Sequence, residues 1–145
     1  MKNDEMKEEM ENEETSSFNI QNSSFPSKPD LIQRTKKYAL RIIRLYSALS
    51  KDTVSQTLGK QLLRSGTSVG ANYREGHRAR SKAEFIAKLG DSLREVEESA
   101  YWLELIEEAE LFPSERLAEL RDETNQLTAI FVSIIRKTKE RRNEE

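Results

Sequence analysis

An all-α protein, built as an up-down four-helix bundle, is the fold class that this amino-acid sequence predicts. The chain is rich in Glu, Lys, Arg, Leu and Ala, which are good helix formers. Only 5 Gly and 3 Pro occur in 145 residues, which favours a few long elements over many short strands. Apolar residues also recur at helical spacing in four segments with short connections, as in an up-down bundle.

The composition divides the chain into three parts. Residues 1–28 combine a run of Glu, Lys, Asn and Met with a stretch rich in Ser, Asn and Pro, which predicts a disordered acidic extension. Residues 1–30 carry 3 basic and 8 acidic side chains, whereas the remainder carries 21 basic and 18 acidic ones. We expect the bundle to span residues 29–139 and residues 140–145 to form a frayed tail.

The first helix is predicted from about Asp30 to Ser50. Its apolar residues occupy a broad arc of roughly 160°, wider than the stripe that one core requires. These residues are Leu31, Ile32, Tyr38, Ala39, Ile42, Ile43, Leu45, Tyr46 and Leu49. The opposite side carries a basic ridge of Arg34, Lys37, Arg41 and Arg44, which we expect to face solvent.

The second helix is predicted to begin with a capping box over residues 53–56. Its expected core positions are Val54, Leu58, Leu62, Val69 and Tyr73. Small residues between them, including Gly66 and Gly70, indicate close approach of another helix, since each interior glycine costs about 1 kcal/mol relative to alanine. Gly76 is the expected C-cap.

Two further helices follow. The third begins with a capping box at Ser81–Glu84, and its core seam is predicted to include Phe85, Leu89, Val96, Ala100 and Leu103. After a turn at residues 111–114, the fourth helix has apolar or small residues at steps of three and four, which is a bundle seam. These residues are Leu117, Leu120, Thr124, Leu127, Phe131 and Ile134.

Residues 64–106 contain several specific short sequence motifs. They are RSGTSVGAN at residues 64–72, SKAEF at 81–85, and SLRE at 92–95 followed by YWL at 101–103. This stretch resembles a four-helix-bundle protein family whose members include proteins encoded within intervening sequences of bacterial large-subunit ribosomal RNA genes. The resemblance extends over about residues 31–136.

The resemblance implies an assembly more directly than a function. Members typically form homo-oligomeric rings, with the pentamer as the expected state. The resemblance also implies distant kinship with accessory variability proteins of retroelements, which bind reverse transcriptase and nucleic acid. The implied partners are therefore further copies of the chain and RNA, DNA or a nucleic-acid enzyme such as a reverse transcriptase.

Two groups of side chains are candidates for binding. The nucleic-acid-binding candidates are the basic ridge and the cations around the second turn, namely Arg34, Lys37, Arg41, Arg44, Arg74, Arg78, Arg80 and Lys82. A cationic face is the electrostatic footprint of nucleic-acid binding, but a solvated surface has the same pattern. The candidates for the oligomer interface are the apolar residues outside the core seams, Ile43, Tyr46, Tyr101 and Trp102.

A polar group on the second and third helices allows two interpretations. Its members are Ser68, Asn72, Glu75, Glu95 and Glu98. They form either a structural network balanced by Arg64 or Arg94, which we favour, or a cation site or catalytic carboxylate pair. His77, the single histidine, is interpreted as a loop residue rather than a metal ligand. We expect no enzymatic activity, metal or cofactor.

Composition also bears on location. The chain has no Cys, so it has no disulfide or thiolate chemistry. No apolar run reaches the roughly 20 residues that a membrane span needs, and the acidic N-terminus differs from a signal peptide. We therefore expect a cytoplasmic protein without membrane contact. Two functions stay open: a nucleic-acid-associated accessory protein, or an interaction module that binds no nucleic acid.

Overall fold

The computed structural model describes residues 30–144, and the side chains of residues 30–143, as a four-helix bundle. The helices are α1 (Leu31–Ala48), α2 (Thr53–His77), α3 (Lys82–Glu108) and α4 (Ser114–Glu144). No strand occurs in the described residues, so the predicted fold class is confirmed. The predicted extension, residues 1–28, lies outside them. Helix α4 continues through residues 140–144; fraying there in solution stays a prediction.

The four helices pack in the order of the sequence. Helix α2 contacts α1 and α3, and α4 contacts α3 and, less extensively, α1. Short connections therefore place α1 diagonally across the bundle from α3, as in an up-down arrangement. The hydrophobic side chains that are fully buried between them come from all four helices: Tyr38, Ile42, Leu62, Val69, Leu89, Val96, Leu103, Ile106, Leu117, Leu127 and Phe131. The seam predicted for α4 is confirmed from Leu117 to Phe131.

The N-terminal caps explain where two helices begin. Asp52, and not Thr53, caps α2: its carboxylate accepts hydrogen bonds from the Ser55 N–H at 2.9 Å and the Ser55 hydroxyl at 2.8 Å. The predicted cap is thus displaced by one residue, because an exposed carboxylate satisfies the free N–H groups as well as a hydroxyl does. The predicted cap of α3 is confirmed, since the Ser81 hydroxyl accepts from the Glu84 N–H at 3.1 Å.

Close helix contact accounts for the small residues of α2. A Cβ at Gly70 would lie 2.9 Å from the Thr35 hydroxyl oxygen, so α1 can approach only a glycine there. Gly76 has the same role towards α3, because a Cβ would meet the Cβ of Lys88 at 3.1 Å. It is not the predicted C-cap: α2 ends at His77, and Arg78 follows as the cap. Val54, a predicted core residue, is 56% exposed.

The turn between α3 and α4 contains the one described non-glycine residue with positive φ, Glu110 at 58°. The Leu111 N–H donates to the Ile106 carbonyl at 3.0 Å, and the Glu110 N–H donates to the Glu107 carbonyl at 3.0 Å. A left-handed residue with this backbone bonding is a Schellman-type helix end, a position that usually holds glycine. Glu110 therefore carries backbone strain in this turn.

Candidate functional site

The basic ridge of α1 is partly covered by α4. Arg34 forms an ion pair with Glu123 at 2.7 Å and donates to Gln126 at 2.6 Å, and its side chain is 28% exposed. Arg41 lies 3.4 Å from Glu119 and is 16% exposed. The expectation that the ridge faces solvent is therefore wrong for these two arginines, because acidic side chains of α4 lie beside α1. Lys37 is half-buried and Arg44 is exposed.

The predicted cations around the α2–α3 turn lie on the surface. Arg74, Arg78, Arg80 and Lys82 are all exposed. The Arg78 N–H donates to the Glu75 carbonyl at 3.2 Å as α2 ends, and the Arg80 N–H donates to the Glu84 carboxylate at 3.2 Å. The turn is thus held by backbone donors, which leaves the arginine guanidinium groups outside its hydrogen bonds.

The end of α4 contributes cations that the sequence analysis did not select. All are exposed, and they lie where a frayed tail is predicted or just before it: Arg136, Lys137, Lys139, Arg141 and Arg142. Helix α4 ends at the same end of the bundle as the α2–α3 turn, since it runs antiparallel to α3. We call these five cations, together with Arg74, Arg78, Arg80 and Lys82, the basic end. A count of Lys and Arg in the last residues was the signal available in the sequence.

The predicted polar group divides into two separate contacts. Arg64 pairs with Glu98 at 2.5 Å and with Glu95 at 3.5 Å, as one of the two expected counter-charges. The Trp102 indole N–H also donates to Glu98 at 3.3 Å. Glu75 pairs instead with Lys88 at 2.6 Å. The structure thus joins Glu95 and Glu98 but does not bring Glu75 to them.

The surroundings of these side chains affect their charge. The hydrogen bond from Arg64 lowers the pKa of Glu98, whereas burial raises the pKa of Glu95 above its ordinary value. On the neighbouring turn, the Ser68 hydroxyl donates to the Arg64 carbonyl at 2.6 Å, and Asn72 is half-buried. Arg94, the other expected counter-charge, pairs with Asp91. The arrangement is that of an ion-pair network between α2 and α3.

A set of hydroxyl groups lies at the centre of the bundle. Tyr38 is fully buried and bonds to Thr124 at 2.7 Å; because Thr124 itself donates to the Leu120 carbonyl, Tyr38 is the donor. The Ser65 and Ser99 hydroxyls lie 2.8 Å apart. Burial raises the pKa of Tyr38 to about 12. Each of the four helices therefore contributes a hydroxyl group to the interior.

The candidate interface residues lie on α1 and α3. Ile43 is 41% exposed on α1, and Tyr46 is half-buried, donating its hydroxyl to Gln56 at 2.8 Å. Tyr101 is 53% exposed on α3, and its ring lies 5.1 Å from that of the half-buried Trp102. Because α1 and α3 are diagonal, these residues form two separate surfaces.

Neither a metal-binding cluster nor a membrane-spanning helix occurs in the described part of the chain. Between residues 30 and 143, His, Asp and Glu side chains nowhere form a group of three that is able to hold a metal ion. His77 is exposed, with its ring 6.1 Å from that of Tyr73. None of the four helices has the length and apolar character needed to cross a membrane, within the same residues.

Comparisons with known proteins place the chain in a family. The family model for the 23S rRNA-intervening sequence protein matches residues 27–133. A crystal structure of a protein of unknown function from the S23 ribosomal protein family of Bacteroides thetaiotaomicron is 37% identical, with a TM-score of 0.69. That alignment covers 73% of this chain and 95% of the other. No curated protein matches the chain. The chain thus belongs to the 23S rRNA-intervening sequence protein family.

Proposed function

We propose that the protein is a non-enzymatic, self-assembling accessory protein that associates with RNA or DNA in the cytoplasm. The observation that carries the nucleic-acid part is the exposed array of cations at the α2–α3 turn and the end of α4. Phosphate backbones bind such arrays mainly by releasing counterions, without needing a shaped pocket. A reverse transcriptase or another nucleic-acid enzyme is the protein partner that fits this role.

The described surface supports a binding role more than a catalytic one. The carboxylates of Glu95 and Glu98 are held by Arg64, and Ser65 is buried against Ser99. Neither group is arranged as a nucleophile with a base, since the single histidine is at the end of α2 and α2's serines bond to other groups. We therefore propose that the network between α2 and α3 sets the relative position of these helices.

Self-assembly is supported by the two apolar surfaces. Leu40 and Ile43 on α1 are 39% and 41% exposed, and Tyr101 on α3 is 53% exposed. A closed ring joins two different surfaces of neighbouring subunits, so separate patches on diagonal helices suit it. Aromatic residues such as Tyr101 and Trp102 are enriched in interfaces. We propose a homo-oligomeric ring, with five subunits as the expected number.

The nucleic-acid part is tested by fluorescence anisotropy with labelled single- and double-stranded RNA and DNA at two salt concentrations. We expect the full chain to bind at low salt and the affinity to fall steeply as salt rises. If the protein binds none of the four probes at low salt, this part of the proposal is wrong.

Light scattering at micromolar concentration tests the assembly. We expect a mass several times that of the chain, and a monomer would contradict the proposal. Changing Ile43 or Tyr101 to Glu should lower the mass, because a charge would enter an apolar contact. Ala129→Glu is the matched control, since Ala129 is an exposed residue of α4 outside both surfaces.

The second candidate function is an interaction module that binds no nucleic acid. The exposed Tyr101 ring, packed against Trp102, is the observation that favours it. A protein that assembles through this surface but ignores all four nucleic-acid probes would have this function instead.

A further inference from the structure

Charge is divided unequally between the two ends of the bundle. Residues 74–82 contain four Arg or Lys against one carboxylate, and residues 136–142 contain five against one. At the opposite end, around the α3–α4 turn, residues 104–123 contain eight carboxylates against two arginines. A polyanion is therefore attracted to one end of the bundle and repelled from the other.

Both basic segments reach the same end, because α3 and α4 are antiparallel. Leu93 of α3 and Arg136 of α4 line the same shallow groove. From that level, Lys82 lies about 16 Å away along α3 and Arg142 about 9 Å away along α4, at 1.5 Å per residue and in the same direction. The turn and the end of α4 thus form one cationic surface.

The basic end differs from the α1 ridge in its ion pairs. Arg34 and Arg41 are held by carboxylates of α4. Within residues 30–143, no ion pair involves Arg78, Arg136 or Arg142. The helix dipole accounts for cations only in the last turn of a helix, so it leaves Arg136 unexplained. A ligand phosphate would meet available guanidinium groups at the basic end.

We infer that the basic end is the phosphate-binding surface and that it takes the backbone of a nucleic-acid duplex. This inference rests on the proposed function and gives it a place and a ligand. Single strands usually need exposed aromatic rings on which bases stack. At this end, Tyr73 is half-buried with its ring 6.1 Å from that of the buried Phe131. Among the described residues at this end, the imidazole of His77 is the exposed ring and no Phe, Tyr or Trp ring is exposed, so the cations suit duplex phosphates better than stacked single strands and read no bases.

Three matched pairs of substitutions in the full chain test the inference. The end pair is Arg136→Gln with Arg142→Gln, the ridge pair is Arg34→Gln with Arg41→Gln, and the remote pair is Lys51→Gln with Lys60→Gln. Each removes two positive charges, and Lys51 and Lys60 are exposed near the other end of the bundle. Thermal unfolding of each pair shows whether a change in binding arises from a change in folding.

Binding is measured with a labelled short RNA duplex, the same sequence as DNA, and their single strands, over a range of salt. We expect the duplexes to bind more tightly than the single strands. The end pair should weaken duplex binding about tenfold at low salt and lower the salt slope by about two, one per lost phosphate contact. The ridge and remote pairs should stay within about twofold of the unchanged protein.

The other outcomes separate the inference from the proposed function. If the unchanged protein binds no probe, the proposed function itself fails. If it binds but the end pair has no effect, the surface is wrongly placed, and equal binding of single strands would remove the duplex assignment. If poly-glutamate displaces the labelled duplex as effectively, per negative charge, as nucleic acid does, the surface is a site for acidic proteins and the inference is overturned.

Discussion

The α1 ridge and the basic end have the same kind of side chains and different neighbours. On α1, Arg34 and Arg41 lie against Glu123 and Glu119, so they belong to the contact between two helices. At the basic end, Arg136 and Arg142 are exposed on the last part of α4. A basic stripe on one helix therefore indicates binding only when the helix that faces it leaves the cations unpaired. Ridge substitutions should therefore act on stability, and basic-end substitutions on binding.

A substitution in the core should change stability far more than one at the basic end. Leu127→Ala should lower the free energy of unfolding by about 2–5 kcal/mol, because Leu127 is fully buried and a cavity would remain. Arg142→Gln, on the exposed end of the same helix, should change it by less than about 0.5 kcal/mol. Urea denaturation measures both. Similar losses for the two variants would mean that the end of α4 is part of the folded core.

Tyr38 provides a pH-dependent contrast with the surface. Its pKa of about 12 exceeds the ordinary value of 10.0, so the folded state favours the neutral phenol. This stabilisation is complete below pH 10 and is lost as the pH rises towards 12, because the unfolded state ionises first. The shift corresponds to about 3 kcal/mol. In Tyr38→Phe, the free energy of unfolding should no longer show this decrease at alkaline pH. In Tyr101→Phe, which changes an exposed site, the decrease should remain.

Removal of residues 1–28 should strengthen the binding of nucleic acid. These residues carry 7 acidic and 3 basic side chains, so we expect them to compete with phosphate for the cations. We expect the affinity at low salt to rise by a factor of about three to ten, and the gain to disappear at high salt because exposed charges are screened. Anisotropy of the two chains measures this change. A gain that is independent of salt would argue against competition by charge.

The ridge itself should contribute a small coupling to stability. A double-mutant cycle of Arg34→Ala and Glu123→Ala should give a coupling free energy of about 1 kcal/mol or less, as is usual for partly exposed ion pairs. The same cycle on Arg142 and Glu123 should give none, since these residues are far apart on α4. A coupling free energy of zero between Arg34 and Glu123 would mean that the ridge is only a solvated face.

The smallest expected effect is at the α3–α4 turn. Glu110→Gly should raise the free energy of unfolding by about 0.5–1 kcal/mol, because glycine adopts positive φ without strain. Glu104→Gly is the control: Glu104 is an exposed residue inside α3, where glycine should destabilise the helix by about 1 kcal/mol. Thermal unfolding distinguishes the two. Destabilisation by Glu110→Gly would mean that its side chain matters more than its backbone.

Local patterns predicted the fold because the spacing of apolar residues is a property of one helix at a time. The steps from Leu117 to Phe131 and the Ser81 cap were confirmed for this reason. Errors arose where a competing local group or a neighbouring helix decided the outcome. Asp52 replaced Thr53 as the cap, and Val54 is exposed while its neighbour Ser55 is buried. Gly76 lies against α3 instead of ending α2.

The candidate site was less predictable than the fold. The sequence identified the cations of the α2–α3 turn and named Arg64 as one of two possible partners for Glu95 and Glu98, which lie within one turn of α3. It did not select the cations of α4, because a charged end resembles a tail. The hydroxyls of Tyr38, Ser65, Ser99 and Thr124 were also missed as a set, since each comes from a different helix.

The number of helices, their approximate ends and the faces that enter the core follow from the amino-acid sequence alone. These depend on periodicity and capping, which act over a few residues of one chain segment. Which charges are paired and which remain available depends instead on how the helices pack. An ion pair or a Gly70–Thr35 contact depends on two helices meeting at a given level and rotation. That information lies in the packing of side chains between segments far apart in sequence.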